Sequence, residues 1–150
     1  MRHLPAILLS VLTLLQACTR PAVTERFILR EDCVQEGIYT FEVDMSDSAA
    51  CYDISLYTRL DGNHQRPDAP EGVTLRMVWT SPSGGDYSEN VYFSFAESSR
   101  EDGFFSLQCL LPYRSGLIPV ERGLWTLTLG QTEPVRDLRG WGIICKREEL

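Results

Sequence analysis

The feature that most limits how this chain can fold is a two-residue alternation of apolar and polar side chains, repeated in short runs and never replaced by a helical period. Tyr39, Phe41, Val43 and Met45 alternate with Thr40, Glu42 and Asp44; Tyr52, Ile54, Leu56, Thr58 and Leu60 alternate with Asp53, Ser55, Tyr57 and Arg59. Successive side chains of a strand point to opposite faces, so each run predicts a strand with one wet face. The second is expected to lie antiparallel to the first. Val73, Leu75, Met77 and Trp79 make a third, and Ser81-Pro82-Ser83-Gly84-Gly85 turns the chain into a hairpin whose return strand carries Val91, Phe93 and Phe95. Phe105, Leu107, Cys109 and Leu111 give a strand ended by Pro112, and residues 117–120 a short edge piece containing Pro119. Trp125, Leu127 and Leu129 mark another strand, and residues 140–146 the last. The polar stretches 61–72 and 96–103 read as connections. No segment spaces apolar residues for three helical turns. The expected class is therefore all-β, a two-sheet antiparallel β-sandwich (Ig-like or jelly-roll-like) of about seven to nine strands, with a barrel as the alternative. Trp79, Trp125 and Trp141 share the inward parities and are expected in the core.

The amino-terminal end follows a different logic. Arg2 and His3 precede an apolar run over residues 4–15, interrupted by Pro5. At about a dozen residues it has the length of a secretory signal and falls short of the roughly 20 needed to cross a bilayer core. It closes on Leu15-Gln16-Ala17-Cys18, which resembles a lipobox, with Gln16 a less usual second residue. Residues 1–17 are thus expected to be a lipoprotein signal peptide, residues 18–36 an acylated tether whose apolar patch Phe27-Ile28-Leu29 could add a first strand, and residues 37–150 the β-sandwich domain. Two or more acyl chains on Cys18 make membrane attachment stable. Thr19, and not Asp, occupies the second mature position, so the expected location is the outer membrane, lipid-anchored and facing the periplasm.

Charge and residue inventory narrow the chemistry. A net charge of −7 disfavours phosphate backbones and anionic lipid surfaces as partners, so no nucleic-acid partner is expected. Beyond Cys18 stand Cys33, Cys51, Cys109 and Cys145, which in an oxidising compartment allow three disulfide pairings. Parity places Cys109 with Leu107 and Leu111, and Cys145 with Trp141 and Ile143, which predicts buried free thiols there; Cys51 falls opposite to Tyr52 and Ile54. No Cys-x-x-Cys or paired histidine accompanies them, so no metal is expected. His64, in the longest polar stretch, is the one histidine after the signal, and a Ser-His-Asp or Cys-His system needs an imidazole held by an ordered neighbour. There is no nucleophile elbow, phosphate-cradling glycine loop or His-Glu-x-x-His run. Asp44, Asp47, Glu97, Glu101 and Asp102 sit near strand ends as ordinary surface charge, and Asp61-Gly62-Asn63 has a turn's composition more than a calcium loop's. No catalytic residue and no cofactor are expected. Tyr57, Tyr87, Tyr92 and Tyr113 fall on outward parities or in loops. Tyr57, Tyr92 and Tyr113 are the candidate ligand or partner surface, suited to stacking on sugar rings or seating a protein, and equally to cross-strand packing.

Several of these residues together resemble a family. The lipobox, the strand Tyr52-Asp53-Ile54-Ser55-Leu56-Tyr57, the hairpin Ser81-Pro82-Ser83-Gly84, and Gly123-Leu124-Trp125-Thr126-Leu127 followed by Gln131 and Leu138-x-Gly140 are similar to gliding-motility lipoproteins of the GldH type from Bacteroidetes. The resemblance implies a non-catalytic outer-membrane lipoprotein, an accessory of the gliding and envelope machinery with other envelope proteins as partners. Members also occur in bacteria that do not glide, so motility itself does not carry over. Only Cys18 maps onto a defined role, and the other four cysteines depart from the pattern. The expected function is an accessory or scaffold component of a gliding-machinery-like envelope assembly, acting through protein contacts; the alternative is a lipid-anchored carbohydrate-binding module with a glycan as partner.

Overall fold

A computed structural model describes residues 21–62, 71–102 and 106–150. The signal segment, Cys18, Phe105 and His64 lie outside these residues. Nine strands are described: β1 (Val23–Leu29), β2 (Ile38–Met45), β3 (Ala50–Asp61), β4 (Gly72–Thr80), β5 (Asp86–Ser94), β6 (Ser99–Asp102), β7 (Ser106–Leu117), β8 (Gly123–Gln131) and β9 (Leu138–Glu149). A single 3-10 turn, Arg30–Asp32, separates the first two. The strands form two antiparallel sheets, one ordered β1-β9-β3-β7-β6 and the other β2-β8-β4-β5. They face each other as the β-sandwich that the alternation predicts.

The core is built from the inward positions of both sheets. Tyr39, Phe41, Val43 and Met45 of β2, Leu75 and Met77 of β4 and Leu127 and Leu129 of β8 are buried on one side; Ile54, Leu56, Leu60, Leu107, Cys109, Trp141 and Ile143 are buried on the other. Trp141 meets Phe93 edge-on at 5.0 Å and 79° across this interior. Cys33, Cys51, Cys109 and Cys145 are all free thiols, and Cys109 and Cys145 are buried as their parity predicts. Burial pushes the Cys145 thiol up to about 11.

The structure corrects five expectations. Within the expected connection 96–103, Ser99–Asp102 form β6, which pairs with β7. The strands β2 and β3 do not pair: β2 hydrogen-bonds β8, whereas β3 lies between β7 and β9 in the other sheet. Both strands carry a full apolar face, and residues 46–49 carry the chain across so that the faces meet through the core. Residues 23–29, expected in the tether, form β1 and pair with β9 over the whole strand, so the sandwich begins well before residue 37. Tyr57, expected on a wet face, is 1% exposed. It points outward, but Phe27, Gly142 and Tyr57 lie in register across β1, β9 and β3. The glycine leaves a gap that the Tyr57 ring fills, with Phe27 stacked on it at 5.3 Å and its hydroxyl donating to Glu25 Oε1 at 2.6 Å. Lastly, β7 does not stop at Pro112, and residues 118–120 are a crossover without strand structure. Proline's missing N–H is tolerated there because β6 pairs only as far along β7 as Leu110.

The β4–β5 hairpin is as expected, with Ser81 N donating to Gly85 O at 2.8 Å and Gly84 N to Ser81 O at 2.9 Å. Gly84, at φ 90°, takes the left-handed conformation that such a turn requires. This turn, the β2–β3 and β7–β8 crossovers, the start of β1 and the end of β9 all lie at one end of the sandwich. Across the five-stranded sheet, Val23, Lys146 and Asp53 share a level, and the Asp53 carboxylate accepts from Ser115 Oγ at 3.0 Å and Gly116 N at 2.7 Å. We refer to this as the amino end.

Candidate functional site

The amino end holds a cleft of about 210 Å³, walled by Met45, Trp79, Tyr87, Tyr113, Leu117 and Trp125 and roofed by residues 118–120. Its origin is local. Trp79 is the last inward residue of β4 and Trp125 the first of β8, so their rings stand where the two sheets run out of partner strands. Trp79 and Tyr113 stack in parallel, 6.4 Å apart at 2°; Trp125 meets Trp79 at 6.4 Å and 72°, and Tyr87 at 5.9 Å and 40°. Such separations lie in the range where ring pairs attract beyond their area burial. Pro119 is buried, while its neighbours Ile118 and Val120 are 55% and 81% exposed. With Tyr87 they form an apolar rim; the exposed Leu124, on the opposite parity of β8 to Trp125, lies outside it.

The polar atoms of the cleft are tied to one another. Trp79 Nε1 donates to Tyr113 Oη at 2.9 Å, and Tyr113 Oη donates in turn to Glu89 Oε1, which also takes a guanidinium N–H of Arg114. The Arg114 guanidinium lies 4.4 Å from the centre of the Tyr113 ring. Trp125 Nε1 donates to Glu121 O at 2.8 Å. Burial alone would raise the Glu89 carboxyl, but the hydrogen bonds from Tyr113 and Arg114 and the charge of Arg114 bring it below its ordinary range. Tyr113 is pushed up to about 12 by burial and by its bond to Glu89. A cleft with its donors and acceptors spent internally recognises apolar surface and shape.

A wider depression of about 540 Å³ opens at the opposite end, bordered by Leu29, Arg30, Cys33, Glu36, Asp61 and Arg139. It is polar and carries exposed ion pairs, Arg30 with Glu36 at 2.8 Å and Arg139 with Asp61 at 3.4 Å. Exposed pairs of this kind contribute up to about 1 kcal/mol each, and the smaller, aromatic-walled cleft is the better defined site. Among the described residues no group of three or more His, Cys, Asp or Glu side chains is placed to hold a metal ion.

The three tyrosines expected to share a surface lie in three places. Tyr57 is packed under β1. Tyr92 is 59% exposed on the outer face of the four-stranded sheet, its ring over Gly72, where an added Cβ would meet the tyrosine Cζ at 2.6 Å. Tyr113 is the only one of the three in the cleft. Trp79, Trp125, Tyr87, Ile118 and Val120 were not expected there. Their sequence signal is positional: tryptophans at the last or first inward position of a strand, and two β-branched residues flanking a proline in a connection. No family model and no curated protein matches the chain.

Proposed function

We propose that the chain is a non-catalytic outer-membrane lipoprotein, held by an acylated Cys18 and facing the periplasm, that serves a gliding-machinery-like envelope assembly as an accessory or scaffold through protein contacts. The observation that carries the protein-contact reading is the flank formed by β5. This nine-residue strand ends the four-stranded sheet, pairs only with β4 among the described residues, and contains neither lysine nor proline. Natural sheets blunt exposed edges with those residues, other charges, bulges or short strands; the charges of β5, Asp86 and Glu89, lie in its first half, with Glu89 turned inward to Tyr113 and Arg114, whereas Asn90–Ser94 carries none and is a template for an added strand. Tyr92 stands beside it on the outer face, a rigid aromatic of the kind that anchors protein interfaces.

A glycan platform needs exposed, coplanar rings, whereas Tyr57, Tyr92 and Tyr113 face three directions and Trp79 and Trp125 are at most 9% exposed. The protein-contact reading is therefore better supported than the carbohydrate one. The test is a photo-cross-linking amino acid at position 92 in native envelopes, with position 34 at the opposite end as control. A discrete protein adduct from 92 and none from 34 is expected. Adducts that are absent at both positions, with the chain instead retained by purified envelope polysaccharide, would replace the protein reading with the glycan one.

A further inference from the structure

The apolar side chains left in solvent are unevenly distributed. Of the eight large hydrophobic residues that are exposed among the described residues, six (Val23, Tyr87, Ile118, Val120, Leu124 and Leu150) lie at the amino end, and only Val34 and Tyr92 lie elsewhere. Three of the six, Tyr87, Ile118 and Val120, rim the aromatic cleft, and Leu124 stands at the same end on the outer face of β8. The turn 81–85 and the crossover 118–120 that project there contain no charged residue. The charges beside them have partners: Arg122 donates to the Asp47 and Ala50 carbonyls at 2.7 and 3.0 Å, and at the surface Glu121 accepts from Ser83 at 2.8 Å and Asp86 from Thr80 at 2.7 Å.

The chain enters the fold at this same end. Pro21 lies beside Thr24, Asp47, Tyr52 and Arg147, and Ala22 O accepts from Arg147 N at 2.7 Å. Only Thr19 and Arg20 separate Pro21 from Cys18. Fully extended chain spans at most about 3.6 Å per residue, so an acylated Cys18 stays within about 11 Å of Pro21. A lipid attached there sits at the membrane surface, and it holds the amino end of the sandwich against the headgroups. The rim is three strand spacings from β1 across the sheet, roughly 15 Å at about 4.8 Å each. Anchor and rim are thus two separated points on one end. Glu148 and Glu149 close β9 between β1 and β3, one strand further from β7 than Ala50, the partner of Glu149.

We infer that this corner is a second membrane contact: Ile118, Val120, Tyr87 and Leu124 bed into the interfacial layer of the bilayer and set the orientation of the domain, leaving β5 upright and accessible. The inference rests on acylation at Cys18. Aromatic and aliphatic side chains around an uncharged tip suit the headgroup boundary, where apolar groups enter to a depth of about 5–10 Å.

The experiment uses the full acylated protein, with an environment-sensitive fluorescent amino acid in place of Val120, reconstituted in phosphatidylethanolamine and phosphatidylglycerol vesicles that carry a nitroxide on an acyl chain. A second protein carries the fluorophore in place of Val34. Both positions are exposed, so neither replacement disturbs the core. The expected result is blue-shifted emission at 120, quenched severalfold relative to 34. If mass spectrometry shows lipid on Cys18, the protein sediments with vesicles, and the two positions are quenched alike, the second contact is overturned while the anchor stands. If Cys18 carries no lipid, the anchor reading fails and the inference with it.

Discussion

The row Phe27, Gly142 and Tyr57 makes a sharp prediction for Gly142→Ala. A Cβ at residue 142 would stand 2.3 Å from Tyr57 Cε1 and 2.4 Å from Cζ, closer than any real contact, and the side chain it meets is 1% exposed with Phe27 over it. The ring must leave its place. Overpacking of this kind costs about 1–3 kcal/mol. The displaced ring also gives up its stacking on Phe27, about 0.5–1 kcal/mol, and its hydrogen bond to Glu25, about 1 kcal/mol. The expected destabilisation is about 3 kcal/mol, which at a urea slope of roughly 2 kcal/mol per molar lowers the unfolding midpoint by about 1.5 M. Overpacking can be separated from a general intolerance of alanine by a double-mutant cycle. Tyr57→Ala alone costs about 3 kcal/mol as a large-to-small change at a covered site. In that background Gly142→Ala should cost under about 1 kcal/mol, giving a coupling of about 2 kcal/mol. Urea unfolding followed by tryptophan fluorescence on detergent-solubilised protein measures all four corners. Costs that add to within about 0.5 kcal/mol would refute the claim that Gly142 exists to house the Tyr57 ring.

Four further outcomes are expected. Leu56→Ala, at a fully buried position, should lower stability by about 2–5 kcal/mol in the same assay. Tyr113→Phe leaves the Trp79 indole N–H without its acceptor and should cost about 1–2 kcal/mol, with a shift in tryptophan emission. Glu89 has a folded-state carboxyl held below its ordinary value of 4.5, so its contribution is present above that pH and lost as pH falls through the depressed folded value. The pair with Arg114 is largely solvent-exposed, so Glu89→Gln should flatten the acid limb of stability against pH below about 4.5 by less than about 1 kcal/mol, read from urea midpoints. Thiol titration without reductant should return Cys33, Cys51, Cys109 and Cys145 free on denaturation, while in the native protein Cys109 and Cys145 react far more slowly; a native disulfide would contradict this.

Parity made much of the interior legible and little of the pairing. Alternation identifies which face of a strand is buried, as for Phe41 and Val43 or Leu127 and Leu129, but carries no information on which strand lies alongside. That is why β2 and β3, adjacent in sequence and both strongly patterned, were expected to pair when in fact they oppose each other. The strand β1 was hidden because an edge strand needs backbone partners more than apolar side chains, and only Phe27, Ile28 and Leu29 signal it. Tyr57 departs from its parity because an outward position is wet only if nothing lies across it, and Gly142 on the neighbouring strand removes that guarantee. For the cleft, the inward parity of Trp79 and Trp125 was correct; what parity cannot express is that the core ends at those residues, so inward rings there border an opening.

The strand β1 joins two roles that are usually separate, being at once the strand nearest Cys18 among the described residues and the outermost member of its sheet. Among the described residues its backbone pairs with β9 alone, through seven residue pairs in antiparallel register, while Tyr57 of β3 holds Glu25 and Phe27 from the side. If the membrane pulls at Cys18 while a load is applied at the far end of the sandwich, tension runs along the axis of β1 and strains those pairs simultaneously, in shear. A load applied at the same end would instead peel them one at a time. If Cys18 carries the proposed lipid, the mechanical strength of the attachment is set less by the lipid than by where along the domain a load takes hold.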